Sequence, residues 1–215
     1  MIRFGENISL ETHARVVAVL RVLDYLRESW VVDLVPGYAS VMVLYDALHV
    51  TPQQVQRWLE EALPQARPEA SRHRVVEVPV WYHPSVAPDL ETLSHEKSLS
   101  VAELISLHTA PEYIVYMLGF RPGFPFLGGL DSRLFSPRLA TPRPAVPAGS
   151  VGIGGQQTGI YPLRSPGGWR LIGRTPWKPF APEVDPPFAL SVGDRVRFVS
   201  ITEARFRELG GVVPP

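Results

Sequence analysis

The chain has 215 residues, 45% hydrophobic and 20% charged, with 21 Lys+Arg balanced by 21 Asp+Glu and no cysteine. Balanced charge argues against nucleic acid, which needs a concentrated basic face, and against polybasic membrane attachment; the lack of thiols excludes disulfides, thiolate metal sites and cysteine nucleophiles. No apolar run approaches the ~18 residues of a membrane span, and the N-terminal MIRFGENISLETHARV has no signal pattern, so a cytoplasmic protein is expected.

In chain order, a short first strand is expected near Ile2 to Phe4. Residues 9–28 follow as an amphipathic helix, with Val16, Leu20, Leu23 and Leu26 at helical spacing and Asn7 or Ser9 as its N-cap. Residues 30–35 and 39–45 read as strands separated by the Pro36-Gly37 turn. Thr51, Pro52 and Gln54 form a capping box for a second helix striped by Val55, Trp58, Leu59 and Leu63. Residues 73–80 alternate as a strand. The order strand, helix, strand, strand, helix, strand is that of a ferredoxin-like domain, assigned to residues 1–80. His13 and His49 are lone histidines, read as surface or capping residues.

Residues 83–110 read as two helices, the second opened by a Ser100/Glu103 capping box and stopped before Pro111. His108 falls on its last turn, where a helix C-terminus favours the imidazolium. From Tyr113 onward the pattern is of short strands (113–118, 150–153, 159–161, 169–173 and 194–201) punctuated by Gly and Pro, which indicates a barrel or sandwich. The fold class is α+β, with residues 81–215 a β-domain preceded by a helical lead-in.

Twelve of the 17 glycines lie within residues 119–175. The segment also keeps Phe120, Phe124, Phe126, Tyr161 and Trp169, enough apolar surface to pack, so the glycines and prolines serve backbone geometry rather than a linker. It contains no P-loop, no G-x-S-x-G and no histidine pair at metal-ligand spacing. Residues 112–182 carry only two acids, Glu112 and Asp131, against the candidate cations Arg138, Arg143, Arg164 and Arg174 and the neutral donors Ser150, Gln156, Gln157, Thr158, Tyr161, Ser165 and Thr175. An acid-poor, donor-rich shell suits a carboxylate, carbamate or phosphate group.

The blocks GFRPGFPFLGGL (119–130), SPRLATPRPAVPAGSVGI (136–153), QTGIYPLRSPGGWRLIGRTP (157–176) and GDRVRF (193–198) resemble the family that includes the 5-oxoprolinase B subunit, the kinase inhibitor KipI and allophanate hydrolase subunit 1. DLVPGYASVMVLYD and LHTAPEYIVYMLGF fit the same family, so the resemblance spans essentially the whole chain. It implies a small α+β N-terminal domain and a cyclophilin-like β-barrel. It also implies a site made of His108, Gly123, Phe124, Arg138, Arg143, Pro147, Ser150, Gln157, Tyr161, Ser165 and Trp169, with His108 as proton carrier and the others binding substrate.

The activity implied is that of a non-autonomous B subunit of 5-oxoprolinase, opening 5-oxo-L-proline to L-glutamate with ATP used through the complex. The implied partners are a second cyclophilin-like subunit of the C type and a LamB/YcsF-like A subunit. The same resemblance allows a KipI-like inhibitor of a sensor histidine kinase, gripping it through Phe124, Phe126 and Trp177, or half of a urea/allophanate carboxyltransferase. No metal, and no biotinyl-lysine motif, is expected on this chain.

Overall fold

The structure, a computed structural model, describes residues 1–6, 8–68 and 74–213. The chain divides into two compact units, Met1–Arg72 and His73–Pro215.

The first unit holds β1 (Ile2–Arg3), α1 (Leu10–Tyr25), β2 (Val31–Pro36), β3 (Ser40–Tyr45) and α2 (Pro52–Ala62). Its sheet has the order β1-β3-β2 and is antiparallel throughout. Ser9 caps α1, accepting from the Thr12 N–H at 3.1 Å; Asn7, the other cap considered, lies outside the described residues. Both halves of the Thr51/Gln54 capping box form. Val16, Val19 and Leu23 of α1 pack on Val31, Leu34 and Val41 of the sheet; of the stripe read from the sequence, Val16 and Leu23 are buried there and Leu20 and Leu26 partly so. His49 is exposed, 2.7 Å from Asp46, whereas His13 is buried on the core side of α1 rather than at the surface.

A ferredoxin-like sheet would take in the strand at 75–80. That strand, β4 (Val75–Val80), instead runs parallel to β12 (Arg195–Ser200) in the second unit, Val78 facing Phe198 in register. Val78 and Val80 are fully buried in that unit's core, and this burial fixes their partner. Alternation marks the strand correctly; its neighbour lies 120 positions away and leaves no local trace.

The second unit continues with α3 (Leu90–Glu96), α4 (Val101–Thr109), β5 (Tyr113–Leu118), β6 (Pro125–Gly128), β7 (Arg143–Val146), β8 (Ser150–Gly154), β9 (Gln157–Ile160), β10 (Ser165–Gly167) and β11 (Arg170–Arg174). Beyond β12 lies α5 (Glu203–Glu208). Seven strands form one sheet in the order β11-β8-β9-β6-β5-β12-β4. Its ends meet: the Trp81 N–H donates to the Arg174 carbonyl at 2.8 Å, and the Arg174 N–H returns the bond at 2.9 Å. The sheet is thus a nearly closed barrel, consistent with a cyclophilin-like fold, and closure removes most of its exposed edge. A separate ribbon, β7 with β10, is antiparallel. Leu90 and Leu93 of α3 and Leu104 of α4 join Val115, Leu127, Val151, Ile153, Ile160 and Ile172 in a single core. Among the described residues no helix is long and apolar enough to cross a membrane.

Candidate functional site

Strand β9 separates two environments. Its side chains alternate across the wall. Thr158 turns inward: its hydroxyl donates to the Gly152 carbonyl at 3.0 Å and faces the His108 Nε2 at 2.8 Å. Gly159 turns outward, where a Cβ would stand 3.0 Å from the Trp169 ring and 3.1 Å from that of Phe124. Gly154 of the adjoining β8 has the same role, since a Cβ there would come within 2.5 Å of the indole. The glycine-rich blocks are therefore the bed on which Trp169 lies, a close approach that only glycine permits.

On this outer face Phe120, Phe124, Phe126, Arg138, Pro142, Tyr161, Pro166, Gly167, Gly168 and Trp169 line a cavity of about 250 Å³. Phe124 is the hub. Its ring meets those of Tyr161 and Trp169 edge-on, at 5.1 Å and 5.4 Å, and those of Phe120 and Phe126 at 5.6 Å and 4.8 Å. Such edge-to-face contacts fix ring orientation as well as burying area. Phe120 forms the rim. It is 59% exposed and holds φ 63°, a left-handed conformation that costs a non-glycine residue about 1–3 kcal/mol and is tolerated chiefly at functional loops. The Gly119 N–H, bonded to the Phe124 carbonyl at 3.1 Å, closes the loop that holds it there.

Arg138 is the only charged residue in the lining and has no acidic partner among the described residues. Burial pushes the Tyr161 phenol up, partly offset by the Trp169 backbone N–H and by the positive fields of Arg138 and Arg143, so Tyr161 is a neutral hydroxyl at physiological pH. The cavity suits a small ligand with an apolar ring and one anionic group. It does not suit a triphosphate, which needs several cationic or backbone donors and a carboxylate to hold magnesium. Among the described residues no cluster of His, Asp or Glu could hold a metal ion.

Of the residues implied by resemblance, the structure brings Phe124, Arg138, Tyr161 and Trp169 together. Gly123 lies beside the cavity, against Phe180. Arg143 reaches behind it: one arm of its guanidinium binds Asp89 Oδ1 at 2.6 Å and the other the Trp169 carbonyl at 3.4 Å. Pro147 is exposed in the turn leading to β8, where the Ser150 N–H bonds its carbonyl at 3.3 Å. Ser150 and Ser165 have buried hydroxyls with no hydrogen-bond partner among the described residues. Gln157 opens β9 opposite Gly154.

His108 stands on the other side of the wall, fully buried. Its Nδ1 accepts from the Tyr82 hydroxyl at 2.8 Å and its Nε2–H donates to Thr158, a chain that ends on the Gly152 carbonyl. Phe198 stacks on its ring at 4.6 Å. Burial lowers its pKa to about 3. The imidazolium expected at a helix C-terminus is therefore not formed: desolvation outweighs the helix-end field. Of the three residues expected in a kinase-gripping patch, Phe124 and Phe126 are buried in the cavity wall and Trp177 is partly buried against the core. Sequence reasoning does not assign Pro142, Pro166, Gly167 or Gly168 to the site, although the S-P-G-G-W block carries the signal: a Cβ at Gly167, in β10, would stand 2.3 Å from the Tyr161 hydroxyl.

Residues 1–190 match the family described as carboxyltransferase domain, subdomain C and D. The chain is 44% identical over 214 residues to the 5-oxoprolinase B subunit of Bacillus subtilis (strain 168), covering 94% of this chain and 89% of that protein. Among solved structures, the conserved uncharacterized protein PH0987 from Pyrococcus horikoshii is 43% identical, with a TM-score of 0.61 over 95% of this chain and 94% of that one. TTHA0988 is 39% identical with a TM-score of 0.85; it covers this whole chain, which spans 40% of the length of that one.

Proposed function

This chain belongs to the carboxyltransferase subdomain C and D family, and from that membership we propose that it is the B subunit of a 5-oxoprolinase whose outer-face cavity binds 5-oxo-L-proline. The observation that carries the reading is the Arg138 guanidinium, without an acidic partner among the described residues, in the lining of an aromatic, acid-free cavity. A guanidinium takes a carboxylate through two parallel N–H bonds. The five-membered lactam ring then lies against Phe124 and Trp169, whose faces bury its methylenes. Binding both ends of the substrate orients the amide carbonyl in one direction, and this orientation is what the chain contributes to ring opening. Phe120 at the rim limits water.

Ring opening adds water across the amide C–N bond and releases the α-amino group of glutamate. A lactam amide is stable, and ATP would activate it by phosphorylating the amide oxygen; water adding at that carbon would then break the C–N bond, nitrogen taking the proton, and a second water would release inorganic phosphate from the resulting acyl phosphate. The cavity does not suit a triphosphate, so in this reading it holds the lactam and ATP is used elsewhere in the complex. The partners proposed are a LamB/YcsF-like protein together with a second, cyclophilin-like one. The B-subunit name borne by the Bacillus subtilis relative supports a multi-subunit assembly.

The test is 5-oxoproline-dependent ADP release by the complex reconstituted from this chain and those partners, with urea as the comparison substrate. Arg138→Gln is expected to raise KM for 5-oxoproline about tenfold or more, the usual effect of losing a charge-assisted contact. Turnover with urea and none with 5-oxoproline would overturn the reading in favour of carboxyltransfer.

A further inference from the structure

We infer that Asp89 and Arg143 are positioning residues that fix the Trp169–Leu171 segment and, through it, the indole wall of the cavity; the inference rests on reading that cavity as the substrate site.

Asp89 stands at the N-cap position of α3 yet makes no capping bond with its side chain. A capping aspartate ordinarily spends its carboxylate on the N–H groups of the first turn. Here both oxygens are buried and directed elsewhere. Oδ1 accepts from Arg143 at 2.6 Å and Oδ2 from the Leu171 N–H at 2.7 Å, while the Asp89 N–H donates to the Leu171 carbonyl at 3.1 Å. Arg143 completes the clamp by donating its other arm to the Trp169 carbonyl. Residues 169 and 171 are thus held from behind by two side chains belonging to different elements, α3 and β7.

The position of the clamp matters. Trp169 lies just before β11, and the β11–β8 register shifts between Leu171 and Gly173, so only Arg170 and Leu171 are regularly paired between the indole and that irregularity. An ion pair this buried adds little stability over an apolar pair of the same size, because desolvation offsets the attraction. What it adds is direction: three hydrogen bonds with defined angles, which an apolar pair cannot supply. With Arg143 neutralised by Asp89, Arg138 remains the cation available to a ligand.

The test uses the full chain labelled with 5-fluorotryptophan, whose five tryptophans give five resonances, Trp169 being assigned by its loss in Trp169→Phe. In Asp89→Asn and in Arg143→Lys, the Trp169 resonance is expected to shift or broaden while those of Trp30, Trp58, Trp81 and Trp177 stay sharp and in place. Lysine keeps the charge but has no second arm for the Trp169 carbonyl, so a merely electrostatic role would leave Arg143→Lys like the parent. In the reconstituted complex both variants are expected to raise KM for 5-oxoproline about tenfold with kcat little changed, as a small misplacement of a binding wall does.

An unmoved Trp169 resonance in Arg143→Lys overturns the inference, and this variant decides the matter if Asp89→Asn loses all five sharp signals. A moved resonance with unchanged KM, while Arg138→Gln does raise KM, also overturns it. If Trp169 moves but neither the clamp variants nor Arg138→Gln alters KM, the clamp on Trp169 stands and the reading of the cavity as substrate site fails.

Discussion

Thr158 and Gly159 are adjacent on β9 and serve opposite faces of the barrel wall, the first bonded to His108 inside and the second lying beneath Trp169 outside. One residue step therefore separates a buried, hydrogen-bonded polar chain from the cavity proposed to bind substrate. His108 and the cavity residues, grouped by resemblance, lie on the two sides of that step.

His108 makes stability depend on pH. Its ordinary pKa of 6.5 falls to about 3 in the folded protein because burial disfavours the charged ring. Between these values the unfolded chain binds a proton that the folded one refuses. The contribution of the neutral ring is complete above pH 6.5 and is lost progressively as pH falls toward 3. Urea midpoints measured at about pH 7 and about pH 4.5 are expected to drop across this window, and His108→Gln, which keeps one donor and one acceptor, is expected to flatten the drop. An equal pH slope in the variant would show that another group carries it.

Gly154 and Gly155 offer a paired test of the indole bed. A methyl at Gly154 collides with Trp169, and overpacking of this kind costs about 1–3 kcal/mol and displaces the ring. Gly155 has φ 64° with nothing near its missing Cβ, so Gly155→Ala costs about 1 kcal/mol of backbone strain and touches no neighbour. Affinity for 5-oxoproline by calorimetry on the complex is expected to fall only in Gly154→Ala.

Phe120 trades stability for a cavity rim. Phe120→Gly relieves the left-handed backbone and, since the ring is largely exposed, is expected to raise stability by about 0.5–1 kcal/mol while weakening 5-oxoproline binding. A denaturation midpoint below that of the parent would mean that the ring's packing on Phe124 outweighs the strain.

Barrel closure hangs on the reciprocal bonds between Trp81 and Arg174. If the seam is closed in solution, those two amides exchange as slowly as the amides of the β8–β9 ladder. Rapid exchange at both, with β8–β9 protected, would describe an open sheet instead.

Much of the local structure is legible from the sequence for reasons that are themselves local. Thr51/Gln54 and Ser100/Glu103 announce their helices because a capping box acts over three residues. The strand at 195–200 announces itself through two-residue alternation, and that at 113–118 through a short continuous apolar run. Short strands rich in Gly and Pro are harder to see: β6, β7 and β10 run only three or four residues and carry no alternation. At the site, the aromatic and glycine content shows that a packed surface exists.

Composition and spacing alone determined that residues 119–175 form an acid-poor, aromatic, backbone-shaped surface, and the family blocks determined the kind of protein that carries it. Only the tertiary structure decided that β4 leaves its neighbours for β12, that His108 is sealed inside the wall, and that Arg143 is paired with Asp89 while Arg138 has no acidic partner among the described residues. Helix caps and alternation act between residues a few positions apart. Which face a residue takes and which charge it meets are set by contacts across 50 to 120 positions, and those exist only once the barrel has closed.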